Sequence, residues 1–202
     1  MTTQTAADLN KPLDPIRFHG VMFDLTGQIP TMVNVKPDED GKPVMIYDLD
    51  GTLADDTHRR HFVEGDKKDY IKYYSLIKND KPNWPVVEEL VRDQMGGATI
   101  VVITGREDTY LMSTLQQLYQ FQIHDLVSCI LMRPTGNYTK AADFKRSAIG
   151  LLAQDGMAIA KVVDDSPEVR AMAEELKLVA VDPAELILDD KAPRLILPPG
   201  VR

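Results

Sequence analysis

The stretch Val44-Met45-Ile46-Tyr47-Asp48-Leu49-Asp50-Gly51-Thr52 decides how the rest of the chain is read. Val44 to Tyr47 is an apolar run of the kind that forms a buried strand. It ends in two aspartates one residue apart. Strand residues i and i+2 share a face. If the strand breaks at Asp48, Gly51 lets the chain turn so that Asp48 and Asp50 converge beyond its tip. Two carboxylates there repel each other, so a cation or a proton must sit between them. Asp and Gly are also ordinary turn residues, so the stretch gains meaning only from what else reaches the same place.

Working outward, further apolar runs at 98–103, 126–131, 159–163 and 178–181 predict strands, and amphipathic stretches lie between them. Asn83 is placed to cap a helix with Pro85 in its first turn, Val87, Leu90 and Val91 on its apolar stripe, and Gly96-Gly97 at its end. A helix is predicted from Glu107 to about Gln120, and another from Ala141 to Ala153, closed by Asp155-Gly156. Ser166 caps a last one, with Pro167 at its first position. Strands alternating with helices imply an α/β fold, a Rossmann-like three-layer sandwich around a mostly parallel sheet. Residues 1–43 read as an N-terminal extension: a loose leader, then a possible hairpin with strands near 17–24 and 29–35. Met22-Phe23-Asp24-Leu25-Thr26-Gly27 superficially copies the central stretch, but Thr26 stands where its second aspartate would be. Residues 44–202 form the main domain. Within it, Leu53 to Pro82 is too polar for core strands and reads as a small cap at about 55–83, with a helix at Asp69–Ile77. The proline-rich end is mostly irregular, with one edge strand at 194–197.

The 202 residues suffice for one domain with a real core, and 44% hydrophobic residues describe an ordinary globular protein. No apolar run approaches the roughly 20 residues of a membrane helix. The N-terminus lacks the apolar core of a signal peptide, and Cys129 is the single cysteine, which together suit a cytoplasmic location. A net charge of −8 argues against a general nucleic-acid coat protein. The charge is uneven, however. Residues 58–81 hold seven basic and four acidic residues, a net +3, so the remainder carries −11. A cationic lip on an acidic protein suits a small anionic ligand or a strand end.

In open α/β sheets ligands bind outside the carboxyl ends of the strands. Those ends carry Asp48 and Asp50; Thr104, Gly105 and Arg106; Arg133, with Lys145 on the helix that follows; and Asp164 and Asp165. Each group has an ordinary explanation as a turn, a cap or a solvated charge. Jointly they make a complementary set for phosphoryl transfer, which needs in-line attack, shielding of the phosphate charge and protonation of the leaving oxygen. Carboxylates on two strand tips suit an oxygen-preferring Mg²⁺. One aspartate can attack covalently and another can serve as acid and then base.

With these motifs in hand, the sequence resembles the haloacid dehalogenase superfamily of phosphohydrolases. The motifs are Tyr-Asp-Leu-Asp-Gly-Thr (47–52), Ile-Thr-Gly-Arg (103–106), Lys145, and Val-Val-Asp-Asp-Ser (162–166). The resemblance implies Asp48 as the nucleophile that becomes an aspartyl-phosphate and Asp50 as general acid/base. It implies Thr104 as a phosphoryl-oxygen ligand and Lys145 as the charge neutraliser. Mg²⁺ would be held by Asp48, the Asp50 carbonyl and Asp164, with Asp165 supporting that shell. Within the superfamily the chain is similar to the phosphatase domain of phage polynucleotide kinase/3′-phosphatase. That likeness rests on Asp-Leu-Asp-Gly-Thr-Leu-Ala (48–54), Thr-Gly-Arg-Glu (104–107), and the Arg133, Gly136, Lys145 run. It implies Arg59, Gly105, Arg106 and Arg133 as substrate-binding residues. The phosphatase domain has an acid four positions before the lysine; here that position is Ala141, with Asp143 nearby. The chain carries no Gly-x-x-x-x-Gly-Lys-Ser/Thr kinase loop. The expected substrate is a small phosphomonoester, a nucleotide or a nucleic-acid 3′ end, with no membrane partner and a homo-oligomer left open. The alternatives are a general small-metabolite phosphatase and, in a different class, a non-enzymatic phospho-acceptor domain similar to a response-regulator receiver.

Overall fold

The computed structural model describes residues 41–187 in full and, as backbone only, residue 188 and the strand residues 16–18, 21–24 and 31–32. The predicted edge strand at 194–197 lies outside the described residues, as does most of the leader. In chain order the strands and α-helices are β1 (Ile16–Phe18), β2 (Val21–Asp24), β3 (Thr31–Met32), β4 (Pro43–Tyr47), β5 (Ala54–Asp55), α1 (Thr57–Arg60), α2 (Tyr70–Ser75), β6 (Lys81–Pro82), α3 (Trp84–Met95), β7 (Thr99–Glu107), α4 (Leu111–Gln120), β8 (Val127–Arg133), α5 (Ala141–Gln154), β9 (Ala158–Val163), α6 (Pro167–Glu175), β10 (Val179–Val181) and α7 (Pro183–Leu188).

The sheet runs β1-β2-β3-β8-β7-β4-β9-β10. From β8 to β10 all pairs are parallel, with β4 between β7 and β9. The three short N-terminal strands add on antiparallel to the outside of β8, Thr31 opposite Leu131. β4 is central because it is apolar on both faces: Val44, Ile46 and Tyr47 are buried, as a strand covered by helices on both sides requires. The chain winds outward from β4 through β7 to β8, then crosses back to β9 and on to β10. This places the topological switch point between β4 and β9, where α/β sheets bind ligands. Helices α3 and α7 pack together, as do α5 and α6, which gives the three layers.

Several boundaries differ from the sequence-based expectation, each for a local reason. β7 runs on to Glu107, four residues past the predicted end. The Glu107–Arg133 pairing continues its ladder after a bulge, and one turn of 3₁₀ helix at 108–110 precedes α4, which starts at Leu111 rather than Glu107. Asn83 stands at the N-cap of α3, but its side chain makes no capping bond; its carbonyl accepts from Val86 and Val87 instead. The helix predicted at 69–77 splits into α2, capped by the Asp69 side chain on the Lys72 amide, and a 3₁₀ turn at 77–79. The tail after β10 begins with α7, which Pro183 opens; the sequence reading took that proline only as a sign of irregular chain. Cys129 is buried.

One polar cluster ties α3 to the sheet. The wholly buried Tyr47 donates its hydroxyl to Asp93 at 2.5 Å. Asp93 also pairs with Lys161 of β9 at 2.5 Å, and Lys161 reaches Glu89 at 2.8 Å. Burial, then the hydrogen bond and charge of Asp93, hold the Tyr47 phenol well above its ordinary pKa. Asp93→Ala leaves that hydroxyl without its acceptor inside the core and removes one of the two Lys161 partners. A stability loss of about 1–3 kcal/mol is expected in urea unfolding.

Candidate active site

The central stretch closes on itself directly after β4. Buried Leu49 and Leu53 anchor the turn in the core. The Leu49 carbonyl accepts from the amides of Thr52 at 3.2 Å and Ala54 at 2.8 Å. Gly51 takes φ +80°, and a Cβ there would sit 2.1 Å from Arg60 Nη2 and 2.3 Å from Asp165 Oδ2. Both the backbone conformation and the close approach require glycine. Asp48 follows the last residue of β4, its amide bonded to the Val163 carbonyl at 3.0 Å. The second arm comes from β9: the Asp164 amide bonds the Val181 carbonyl at 3.2 Å, and the Asp165 amide donates to Thr52 Oγ1 at 3.1 Å.

Between the arms lies Lys145 of α5. Its buried ammonium is 2.6 Å from Asp48 Oδ1 and 2.5 Å from Asp164 Oδ2. Carboxylate oxygens of Asp48, Asp164 and Asp165 all fall within 4.8 Å of one another. Asp165 is further held by Arg60 at 3.0 Å. Burial pushes the Asp48 carboxyl up to about 8; Lys145 opposes this, and the charges of Asp164 and Asp165 add to it. Burial, helped by the Asp164 charge, also raises Asp165. Burial alone would lower Lys145, but Asp164 and Asp48 outweigh it and hold the ammonium above its ordinary pKa. The pocket carries more negative charge than its own cations balance. A set of three hard carboxylates at this spacing fits a small divalent ion such as Mg²⁺.

Asp50 lies in a second cluster. Its Oδ2 accepts from Arg106 Nε at 2.8 Å. Its Oδ1 accepts from Arg106 Nη2 at 2.5 Å and also from Arg59 Nη2. Arg59, from α1, forks onto Asp80 with Nε at 2.7 Å and Nη2 at 2.5 Å. Asp80 also receives Gln117 Nε2 at 2.8 Å and lies 2.9 Å from His58 Nε2. Both guanidinium side chains are 0% exposed. Burial alone would raise Asp50, but Arg106 first and then Arg59 overcome it and lower the carboxyl to about 2. Arg59 and Arg106, expected to face substrate, are instead spent on aspartates. One donor is left over: Arg59 Nη1 is buried and finds no hydrogen-bond partner.

The remaining expected residues are placed as follows. Buried Thr104 accepts the Arg106 amide on Oγ1 at 3.2 Å, which leaves its own proton to donate. The Gly105 carbonyl receives Arg133 Nε at 3.0 Å, Arg133 Nη1 donates to the Thr139 carbonyl at 2.5 Å, and its guanidinium lies over the Phe144 ring. Arg133 therefore braces two loops. Asp143 is exposed on the first turn of α5, and Lys145 takes its partners from Asp48 and Asp164. Sequence reading missed Asp80. It sits 21 positions from Arg59 in a stretch that looked like a solvated basic lip, and no local motif marks it.

The sequence profile of the polynucleotide kinase PNKP phosphatase domain matches residues 42–185. The chain belongs to that family. Among solved structures, a chain of the Pnkp1/Rnl/Hen1 RNA repair complex is 26% identical over 73% of this chain, with a TM-score of 0.59. This chain spans only 45% of that one. A haloacid dehalogenase-like family hydrolase from Streptococcus pneumoniae shares the fold at 15% identity and a TM-score of 0.51, covering 74% of this chain and 98% of its own. No curated protein sequence matches the chain. This PNKP-type domain is accordingly a phosphatase of the haloacid dehalogenase superfamily, not a receiver. Among the described residues no helix is long and apolar enough to cross a membrane.

Replacing Asp80 by alanine leaves two buried guanidinium groups facing one carboxylate. Removal of one member of a buried ion pair costs about 3–5 kcal/mol. Asp80→Ala is expected to lower unfolding free energy by that amount in urea titrations, whereas Asp143→Ala, at an exposed site, stays within about 0.5 kcal/mol of the parent.

Proposed function

We propose that the protein is a Mg²⁺-dependent phosphomonoesterase that works through an aspartyl-phosphate on Asp48 and acts on nucleotides or 3′-phosphorylated nucleic-acid ends. The observation that carries the reading is the Lys145 ammonium bridging Asp48 and Asp164 at the ends of adjacent strands. Asp48, the Asp50 carbonyl and Asp164 would hold the metal, with Asp165 braced behind them by Arg60 and Thr52. Mg²⁺ there would neutralise the excess negative charge and let an anionic nucleophile approach an anionic phosphate.

The chain's own residues do the rest. Lys145 keeps the Asp48 oxygen positioned and offsets its charge. Asp48 attacks phosphorus as the bond to the leaving oxygen breaks, and Thr104 donates its free proton to a phosphoryl oxygen. Asp50 is proposed to protonate the leaving oxygen, then to take a proton from the water that hydrolyses the aspartyl-phosphate. While clamped by two arginines it is too acidic to be a proton donor. A phosphate dianion competes for the same guanidiniums, and Arg59 Nη1 offers a donor for it. As Arg59 and Arg106 turn toward the phosphate, Asp50 loses its cations and its pKa rises. Its protonation is thus tied to substrate arrival. The insertion at 55–83, which supplies Arg59, Arg60 and Asp80, serves as a small cap over this site.

The nucleotide or nucleic-acid preference rests on family membership, the two arginines and the cationic insertion. A panel of nucleotides, sugar phosphates and 3′-phosphorylated oligonucleotides tests it; a higher kcat/KM for a sugar phosphate overturns it in favour of a general small-metabolite phosphatase. Asp48→Asn should lose roughly three or more orders of magnitude in kcat with the fold intact by circular dichroism. Near-normal turnover removes Asp48 from its role. Asp164→Asn should chiefly raise the Mg²⁺ concentration needed for half-maximal activity, by about 10–100-fold if ligation follows the usual pattern. An unchanged metal dependence argues against ligation there.

A further inference from the structure

The insertion carries more than arginines. From the Asp50 clamp a line of aromatic rings leads outward. The Arg59 guanidinium lies 4.0 Å above the Tyr73 ring, and Tyr73 is itself fixed by its hydroxyl bond to Asp56 at 2.6 Å. Tyr73 meets Tyr74 edge-on at 5.1 Å. Tyr74 lies 4.4 Å from Tyr110, which sits just past β7, and 6.2 Å from Tyr70 in a stacked arrangement. Exposure rises along this line: Tyr73 is buried, Tyr74 and Tyr110 are half-buried, and Tyr70 is 49% exposed. Packing of the insertion on the core accounts for Tyr73, but it does not account for a ring stacked in solvent.

We propose that Tyr70, Tyr74 and Tyr110 form a stacking ledge for the nucleobase next to the scissile 3′-phosphate. The inference rests on the phosphatase reading above and deepens it. Three observations favour a base over another apolar group. Aromatic faces receive any nucleobase, and stacking on them is the usual means by which single strands are held without sequence preference. The ledge is flanked in sequence by exposed Lys67, Lys68, Lys72 and Lys78, which outnumber the exposed Glu64, Asp66 and Asp69 of the same stretch and supply charge for the strand's backbone. Finally, the ledge is continuous with the site: burial, then the charge of Asp50, raises the Tyr74 phenol, while Arg106 and Arg133 pull it the other way. The phenol therefore stands in the field of the groups that would meet the phosphate.

The test pairs a change in the substrate with a change in the protein. Full-length protein is given a 3′-phosphorylated dinucleotide and the same molecule with an abasic sugar at the 3′ end. Parent protein should favour the base-containing substrate in kcat/KM by about tenfold or more. In Tyr70→Leu/Tyr74→Leu the ratio should fall toward one, while Tyr74→Phe, which keeps the ring, retains it. A merely structural role for the tyrosines would lower both substrates together and leave the ratio intact. Parent protein indifferent to the missing base, or a ratio that survives the double leucine variant, overturns the ledge while leaving the phosphatase reading in place. Hydrolysis of sugar phosphates with neither dinucleotide turned over overturns both.

Discussion

Three carboxylates sharing a space of under 5 Å with one buried ammonium is an arrangement no core would adopt for stability. Each carboxylate loses hydration by burial, and none is fully compensated. The fold resolves the conflict only in part. Lys145 bridges Asp48 and Asp164 and Arg60 takes Asp165, yet burial, with the charges of Asp164 and Asp165 adding to it, pushes the Asp48 carboxyl up to about 8. Everything that fixes these side chains is rigid. Asp48 and Asp164 follow the last residues of adjacent parallel strands, Lys145 is on a helix packed across them, and Gly51 lets the turn double back to within van der Waals reach of Arg60 and Asp165. Strained electrostatics on a stiff frame suits the divalent-cation site proposed above.

The second cluster obeys the opposite rule. Arg59 and Arg106 against Asp50 and Asp80 are neutral as a group, buried and geometrically well matched, with forked bonds at 2.5–2.8 Å. Such a cluster is costly to open by itself and cheap to open when another anion enters. Placing the proposed acid in the satisfied cluster and the proposed nucleophile in the unsatisfied one separates their proton affinities: Asp48 is driven up and Asp50 down. Titratable pairs pushed apart in this way usually mark a division of roles. Under the proposed mechanism the reaction needs the reverse division, which a metal ion beside Asp48 and a phosphate beside Arg59 and Arg106 would supply.

The sheet and its helices were legible because their signals are local. Apolar runs of strand length, the Gly96-Gly97 stop and the Ser166-Pro167 cap depend on a few neighbouring residues. The convergence of Asp48, Lys145, Asp164 and Asp165 was legible too, since strand ends in a parallel sheet meet at one edge whatever the details. What escaped depends on distant partners. Asp80 has meaning only once Arg59, Arg106 and Gln117 are seen around it. The burial of both arginines contradicts the ordinary expectation for charged residues, and only the paired aspartates make it tolerable. Thr104-Gly105-Arg106 reads as a turn in sequence and Glu107 as a helix start, and pairing with β8 draws both into the strand. Pro183 reads as a breaker, although proline also suits the first turn of a helix.

The insertion is where these threads meet. It contributes Arg59 and Asp80 to the buried cluster, Arg60 to Asp165, and Tyr70, Tyr73 and Tyr74 to the aromatic line. This one segment thus reaches Asp50 through Arg59 and Asp165 through Arg60. It is held by contacts of both kinds: buried Ile77 packs beside α4, whose Gln117 donates to the Ile77 carbonyl and to Asp80, and Arg59 links Asp80 to Asp50. Polar anchors are directional, so they hold a segment in one register, and they exchange partners more readily than a packed apolar face does. On the proposed reading, such a segment keeps its tyrosines in place through Ile77 and its internal bonds while its arginines turn from aspartate to phosphate.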